Sequence, residues 1–436
     1  MATDVLSIAT SREKLKDVLG TPLYANAIYL MLGNVSNSIF GFVFWIMVAR
    51  LYTAEEAGIG SAIISAAGLL TMLAGLGFGY GLIRFLKSSK DPNKLINTSF
   101  TLTALVALAA AAIFILGIRV WSPSLTILRT NGLYLGVFLV FVPISALSAL
   151  VDSSFVAGRK AGFVLARNII FNVLRIILPF VFLAVAQSFG IFGSWSSAAI
   201  VAFLAGILLF LPRSQPHYRP FPSIDRKAIS EILHFSFRNY LGDLFWTTPA
   251  LILPLLVVNV LDAKSNAYFY MAWAINGILS MIPSTVATSL FAEGSNEEAK
   301  LEQHIGKSLK MVFLLLIPAV ILVELLADKL LLLFGRAYAD NATTLLRVLA
   351  VAAFPLAINV VYFGVRRVQK KMTEVILLSI AAGVVTIGVS RLLLPGTGIA
   401  GIGIAWLISQ SSIALWIMVN WLRQRPKGLT SVRIGH

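Results

Sequence analysis

The chain has 436 residues, of which 58% are hydrophobic and only 12% charged, with no cysteine and a formal charge of +16. Soluble domains run at about 45–50% apolar and about 25% charged, so a water-soluble fold is excluded, and the missing cysteine excludes disulfides and thiol catalysis. The apolar runs are long and unbroken, which excludes the alternating strands of a membrane barrel. What remains is α-helix, in which each segment satisfies its own backbone polar groups.

In chain order, Met1–Pro22 is polar and carries Arg12, Lys14 and Lys16. It lacks the apolar core and small-residue cleavage site of a signal peptide, so the first span is expected to act as an uncleaved insertion signal. Spans of about 20 apolar residues are predicted near 25–48, 58–80, 98–118, 133–150, 164–186, 195–211, 240–259, 267–290, 309–327, 345–363, 374–394 and 399–421. The longest connection, Pro212 to Asn239, is rich in Pro, Arg and Ser. The expected organisation is therefore a cytoplasmic tail (1–22), an N-terminal six-helix bundle (23–211), a cytoplasmic linker (212–239), a C-terminal six-helix bundle (240–421) and a second cytoplasmic tail (422–436).

Lys and Arg placement sets the orientation. With the N-terminus inside, 26 of the 35 basic residues fall in cytoplasmic segments and eight fall outside. The remaining one, Arg175, is read as lying within a span. The positive charge thus marks cytoplasmic loops of a plasma-membrane protein with both termini inside, not a nucleic-acid surface. An internal repeat is also visible. Leu51–Tyr52, Ala57–Gly58 and Ala62 recur as Leu261–Asp262, Ala267–Tyr268 and Ala272, 210 residues later. Gly190-Ile191-Phe192-Gly193 recurs as Gly398-Ile399-Ala400-Gly401, 208 residues later. Duplicated halves of six spans each point the same way through the membrane, as in parallel-repeat transporters.

A series of short motifs runs along most of the chain: Asn26, Phe42, Ala49-Arg50-Leu51, Glu55-Glu56-Ala57-Gly58, Gly75-Leu76-Gly77 and Arg84-Phe85 in the first half. Ala267-Tyr268-Phe269-Tyr270, Phe291-Ala292-Glu293, Leu333-Phe334-Gly335, Tyr338 and Leu346-Arg347-Val348-Leu349 follow in the second. In order and spacing the chain resembles the polysaccharide and oligosaccharide flippases of the multidrug/oligosaccharidyl-lipid/polysaccharide exporter superfamily. The resemblance implies an all-α membrane fold of two six-helix bundles around a central cavity. Many members of that superfamily carry an acidic-basic pair in span seven; the matching place here is Leu253-Pro254, and the nearest acid, Asp243, lies about three turns nearer the cytoplasm.

Arg175 is the sharpest single feature. A lone Arg at mid-span costs about 2.5–3.5 kcal/mol on insertion scales, so it is expected either to face a wet cavity, gripping phosphate oxygens bidentately, or to snorkel to the inner headgroups. Asn26, Asn34 and Asn37 lie within about 80° of one face of span one and read either as sugar-binding amides or as interhelical hydrogen bonds. Gly75, Gly77, Gly79 and Gly81 permit close helix approach or bending. Asp243, five residues after Arg238, reads as an ion-coupling or a pairing residue. Arg50, beside Glu55 and Glu56, reads as a gate or a simple interfacial cluster. The histidines show no metal spacing and no P-loop is present, so no metal, cofactor or catalytic residue is expected.

The leading expectation is a flippase. It would move a polyprenyl-pyrophosphate-linked oligosaccharide from the inner to the outer leaflet by alternating access, alongside glycosyltransferases or a glycan polymerase. A cation-coupled multidrug exporter on the same fold is the alternative. A membrane glycosyltransferase using Glu55 and Glu56 is disfavoured because the outer loops are short.

Overall fold

The structure is a computed structural model that describes residues 22–185, 189–216, 218–296 and 301–424. Most of both predicted tails, with Arg12, Lys14 and Lys16, and His217 in the linker lie outside the described residues. Among the described residues the long elements are all helices, and twelve are long and apolar enough to cross a membrane. They are α1 (Pro22–Leu51), α2 (Ala54–Gly75), α3 (Pro92–Leu116), α4 (Gly132–Ala157), α5 (Ala161–Val185) and α6 (Gly190–Ala205), then α7 (Arg226–Val260), α8 (Ala263–Asn296), α9 (Leu301–Leu332), α10 (Arg336–Val368), α11 (Met372–Thr397) and α12 (Ala400–Gln424).

Local chemistry accounts for where several of these helices start. Thr53 and Glu56 form a reciprocal capping box at α2: the Glu56 amide donates to the Thr53 hydroxyl and the Thr53 amide donates to the Glu56 carboxylate, satisfying two orphan donors at once. Asp91 accepts from the Lys94 amide and Pro92 opens α3, a position where the missing N–H costs nothing. The Asn131 side chain accepts from the Leu133 and Tyr134 amides at the head of α4.

Two of the predicted boundaries differ in an instructive way. Span seven was expected from 240, but α7 begins at Arg226, so the second part of the expected 212–239 linker is helical. Span two was expected to run unbroken to 80; instead α2 stops at Gly75, Leu76 and Gly77 adopt φ of +47° and +82°, and a short helix, Phe78–Phe85, resumes. Hydropathy marks only the stretch that lipid demands. A helix continues past it wherever polar flanks still favour intrahelical bonds, and it breaks wherever two residues enter the left-handed region.

Helix starts reproduce the repeat. α2 begins at Ala54 and α8 at Ala263, 209 residues later, and α6 and α12 begin at Gly190 and Ala400, 210 apart.

The chain divides into two compact units, Met1–Leu244 with Asp262–Ala267, and Phe245–Leu261 with Tyr268–His436. In the first, α2 is the most enclosed helix, and its buried residues are mostly small, among them Ala57, Gly58, Gly60, Ser61, Ala62, Ala66 and Ala67, with Ile63, Ile64 and Leu70 beside them. Small residues are what helix packing in lipid requires, because no hydrophobic force separates a leucine from an acyl chain. An apolar core around Phe78, Leu82, Ile96, Phe155 and Ile232 holds α3, α4 and the N-terminal part of α7 together. In the second unit Ala382, Ile413 and Ile417 are buried together between α11 and α12.

Candidate functional site

The predicted site residues of α1 and α5 meet in one polar seam within the first unit. Asn26 Oδ1 accepts from the Ala161 amide at 2.8 Å, capping α5. Eleven residues on, Asn37 Oδ1 accepts from Asn172 Nδ2 at 2.8 Å, and the same amide reaches Ser36 Oγ at 3.3 Å. Arg175 Nη2 donates to the Asn37 carbonyl at 2.9 Å. Gly33 and Gly41 make the approach possible: a Cβ at Gly33 would sit 3.3 Å from Asn168 Nδ2, and one at Gly41 would sit 3.3 Å from Arg175 Nη2. Asn34, read with Asn26 and Asn37 as one amide face, is exposed instead.

Arg175 is 4% exposed. Its guanidinium carbon lies 4.9 Å from the Phe171 ring centre and 5.2 Å from that of Trp195. Two aromatic faces and a carbonyl oxygen are a favourable setting for a desolvated guanidinium. Trp195 itself packs on Phe44 and Phe171, so the cation ties α1, α5 and α6 together.

Three further members of this seam escaped the sequence reading. Asn168 and Asn172 precede Arg175 by seven and three residues, on one face of α5, and that spacing was the available signal. Arg167 lies near the start of α5, and its Nε and Nη2 bind the two oxygens of Asp152 at 2.7 and 2.5 Å. It also donates to Asn168 Oδ1 at 3.1 Å. Nothing in the sequence joins Asp152 to Arg167, because α4 and α5 must first fold back on each other. Tyr52 is a fourth omission. Its hydroxyl donates to the Pro179 carbonyl at 2.6 Å, and burial pushes its pKa up to about 12.

The glycine run has a division of labour. Gly77 and Gly81 lie against α7: a Cβ at Gly77 would be 3.0 Å from Ser236 Cβ, and one at Gly81 would be 2.4 Å from Ile232 Cγ2. A Cβ at Gly79 would be 2.9 Å from Ser153 Oγ of α4, and nothing lies within 4 Å of a Cβ at Gly75. Close packing and a break in the helix thus coexist in one run. Asp243 accepts a hydrogen bond from the Tyr80 hydroxyl in the same region, while Arg238 is exposed. Arg50 is exposed in the last turn of α1, and Glu56 is engaged by the α2 cap.

In the second unit Asn359 Nδ2 donates to both the backbone carbonyl and the side-chain oxygen of Gln410, at 2.9 and 2.8 Å. Arg366 pairs with Glu374 at 3.0 Å, donates to Gln369 and lies 4.7 Å from the Tyr362 ring centre; the Tyr362 hydroxyl donates to Glu374. At the place where span seven was expected to lack an acid, Leu253 is fully buried. Among the described residues no three His, Cys, Asp or Glu side chains come together as a metal site would require.

Among the described residues, twelve helices long and apolar enough to cross a membrane build an all-helical fold shared with solved transporters of the MOP superfamily. Solved structures with this fold include the lipid II flippase MurJ in an inward closed conformation (14% identity, 90% of this chain and 87% of that one, TM-score 0.76). They also include a multidrug resistance MATE family transporter in an inward-facing conformation (16% identity, 92% and 99%, TM-score 0.70). A third is a MOP superfamily transporter from Pyrococcus furiosus described by the reversed polarity of its binding pocket (15% identity, 94% and 96%, TM-score 0.62). No curated protein matches the chain. The profile of the polysaccharide biosynthesis protein family matches residues 23–291, more than half the sequence, and the chain belongs to that family.

Proposed function

We propose that this protein is a flippase that carries a polyprenyl-pyrophosphate-linked oligosaccharide from the inner to the outer leaflet of the plasma membrane, by alternating access, during assembly of a surface glycan. The observation that carries this reading is membership of the polysaccharide biosynthesis family across residues 23–291. The MurJ-like fold supports it, because lipid-linked sugars need a protein that admits a charged head while the tail stays in lipid. Both termini lie in the cytoplasm, which places the basic loops inside. Its partners are the membrane lipid, the glycan-lipid and the glycosyltransferases or polymerase on either side of it. The protein itself makes no covalent bond in this scheme. The exposed amide of Asn34 meets sugar hydroxyls, and Asn26, Asn37 and Arg175 set the geometry of the α1–α5 wall behind it.

The test is deletion of the gene followed by a leaflet assay with an impermeant lectin or glycosidase on intact cells. Loss of surface glycan together with accumulation of finished glycan-lipid on the inner leaflet is the expected result. Normal surface glycan, in a strain without redundant relatives, overturns the reading. The MATE-like fold supports a second reading, export of amphipathic cations; in that case deletion raises drug sensitivity and leaves the glycan-lipid untouched.

A further inference from the structure

The segment between α6 and α7 is not a free linker. Pro216, Pro220 and Pro222 stiffen it, since each fixes its own φ and restricts the residue before it. Four contacts then strap it to the first turns of α3. The Asn97 side chain donates to the Arg219 carbonyl at 2.8 Å and accepts from the Tyr218 hydroxyl at 3.0 Å. The Ser223 amide donates to Thr101 Oγ1 at 3.2 Å, and Asp225 pairs with Lys94 at 2.9 Å. Tyr218 is buried deeply enough that its pKa is pushed up to about 12.

What this strap presents outward is apolar. Phe221 is 71% and Ile224 62% exposed. An aromatic and a branched aliphatic side chain, held rigidly and pointed away from the protein, have no packing role within it. The position of the strap is informative. Asn97 and Thr101 flank the expected start of span three at 98, and interfacial segments at such a boundary sink an apolar face about 5–10 Å into the headgroup region.

The charge around it is basic. Arg213, Arg219, Arg226 and Lys227 are exposed on the strap and its flanks. Lys160 Nζ donates to the Arg213 carbonyl, which brings the α4–α5 loop, with exposed Arg159, to the same end. The α2–α3 connection adds exposed Arg84, Lys87 and Lys90, and Arg84, Phe85, Lys87 and Ser88 line a hollow of about 350 Å³. Asp225, the acid within the strap, is already taken by Lys94.

We infer that the 218–227 strap is an interfacial anchor that docks on anionic lipid headgroups, with Phe221 and Ile224 inserted among the acyl-chain ends and Arg213, Arg219, Arg226 and Lys227 on the phosphates. Basic clusters beside membrane helices are attracted to acidic leaflets, and a rigid strap loses little entropy on docking. This inference holds whichever substrate the protein moves.

The experiment uses the full chain in lipid nanodiscs. The absence of native cysteine allows Phe221→Cys to be labelled uniquely with an environment-sensitive fluorophore, with Ser230→Cys, exposed on α7, as the reference site. In phosphatidylcholine containing about one-third phosphatidylglycerol, the probe at 221 is expected to be quenched by a shallow nitroxide-labelled lipid and shielded from iodide at least threefold relative to 230. In phosphatidylcholine alone the shielding is expected to fall at least twofold, as it should when R219Q, R226Q and K227Q are combined. If Phe221→Cys fails to fold, Ile224→Cys carries the same measurement. A probe equally open to iodide in both lipids overturns the inference. So does one shielded only when soluble cell protein is added, which would make the strap a protein-docking site.

Discussion

A methyl group on Gly58 of α2 would lie 1.7 Å from the carbonyl oxygen of Ala263, the first residue of α8. Asn266, one turn further along α8, donates to the Gly58 carbonyl at 2.7 Å and to Ser61 Oγ at 3.1 Å. The two stretches in contact are the two copies of the repeat detected in the sequence. Because the obstacle is backbone, it cannot swing aside as a side chain would. Gly58→Ala is therefore expected to cost at least the 1–3 kcal/mol typical of overpacking and to lower the thermal midpoint in detergent by several degrees. Gly75→Ala, where a Cβ meets nothing within 4 Å, is the control and is expected to stay within about 0.5 kcal/mol. Equal melting of the two variants would refute this account.

At Gly81 the obstacle is a side chain, Ile232 Cγ2 at 2.4 Å and Cγ1 at 2.8 Å. Gly81→Ala is expected to destabilise, and adding Ile232→Ala should restore part of the loss, since the new methyl group then occupies the space that Ile232 leaves. The check is a double-mutant cycle by tryptophan fluorescence during thermal unfolding. Additive losses would mean that Gly81 does not set the α7 contact.

The Asn37–Asn172 hydrogen bond should be measurable in the same way. Interhelical hydrogen bonds in membranes average about 0.6 kcal/mol and reach about 1.7. Asn37→Ala and Asn172→Ala are each expected to destabilise, with a coupling within that range because each removes the other's partner. A coupling indistinguishable from zero would leave the seam without energetic content.

Arg175 separates structure from transport. Arg175→Lys keeps the charge over Phe171 and Trp195 but loses the planar fork that also reaches the Asn37 carbonyl, so partial activity and a modest loss of stability are expected. Arg175→Ala opens a hole between α1, α5 and α6 and should lower the thermal midpoint more than any single Asn substitution in the seam. Should Arg175→Ala instead melt like the parent while transport vanishes, the guanidinium acts on the substrate and not on the wall.

Orientation is checked by single cysteines on opposite ends of the first unit. Lys87→Cys and Arg159→Cys lie at the basic end, and Arg129→Cys lies in the α3–α4 connection at the other. In intact cells an impermeant maleimide is expected to label position 129 and to spare 87 and 159 until the membrane is opened. The opposite pattern would invert the topology.

Composition and hydropathy by themselves determined the twelve crossings, because lipid leaves a backbone few other ways to satisfy its polar groups, and the motif matches 208 to 210 residues apart pointed to the doubled plan. They also marked Arg175 and the glycines as unusual, since a buried cation or a missing side chain stands out against an apolar background. Which partners those residues have was decided only by the tertiary structure. Asn172 and Asn37 are 135 residues apart, Tyr52 and Pro179 127, and Asn97 and Arg219 122. Hydropathy placed span seven from 240, while the helix that carries it begins at Arg226. A polar helical segment looks like a loop until Ile232, Ser236 and Tyr240 are seen lying on Gly81 and Gly77. Periodicity within a helix reports which face is polar; which other helix meets that face depends on how the connections fold the spans back, and that information is spread along the whole chain.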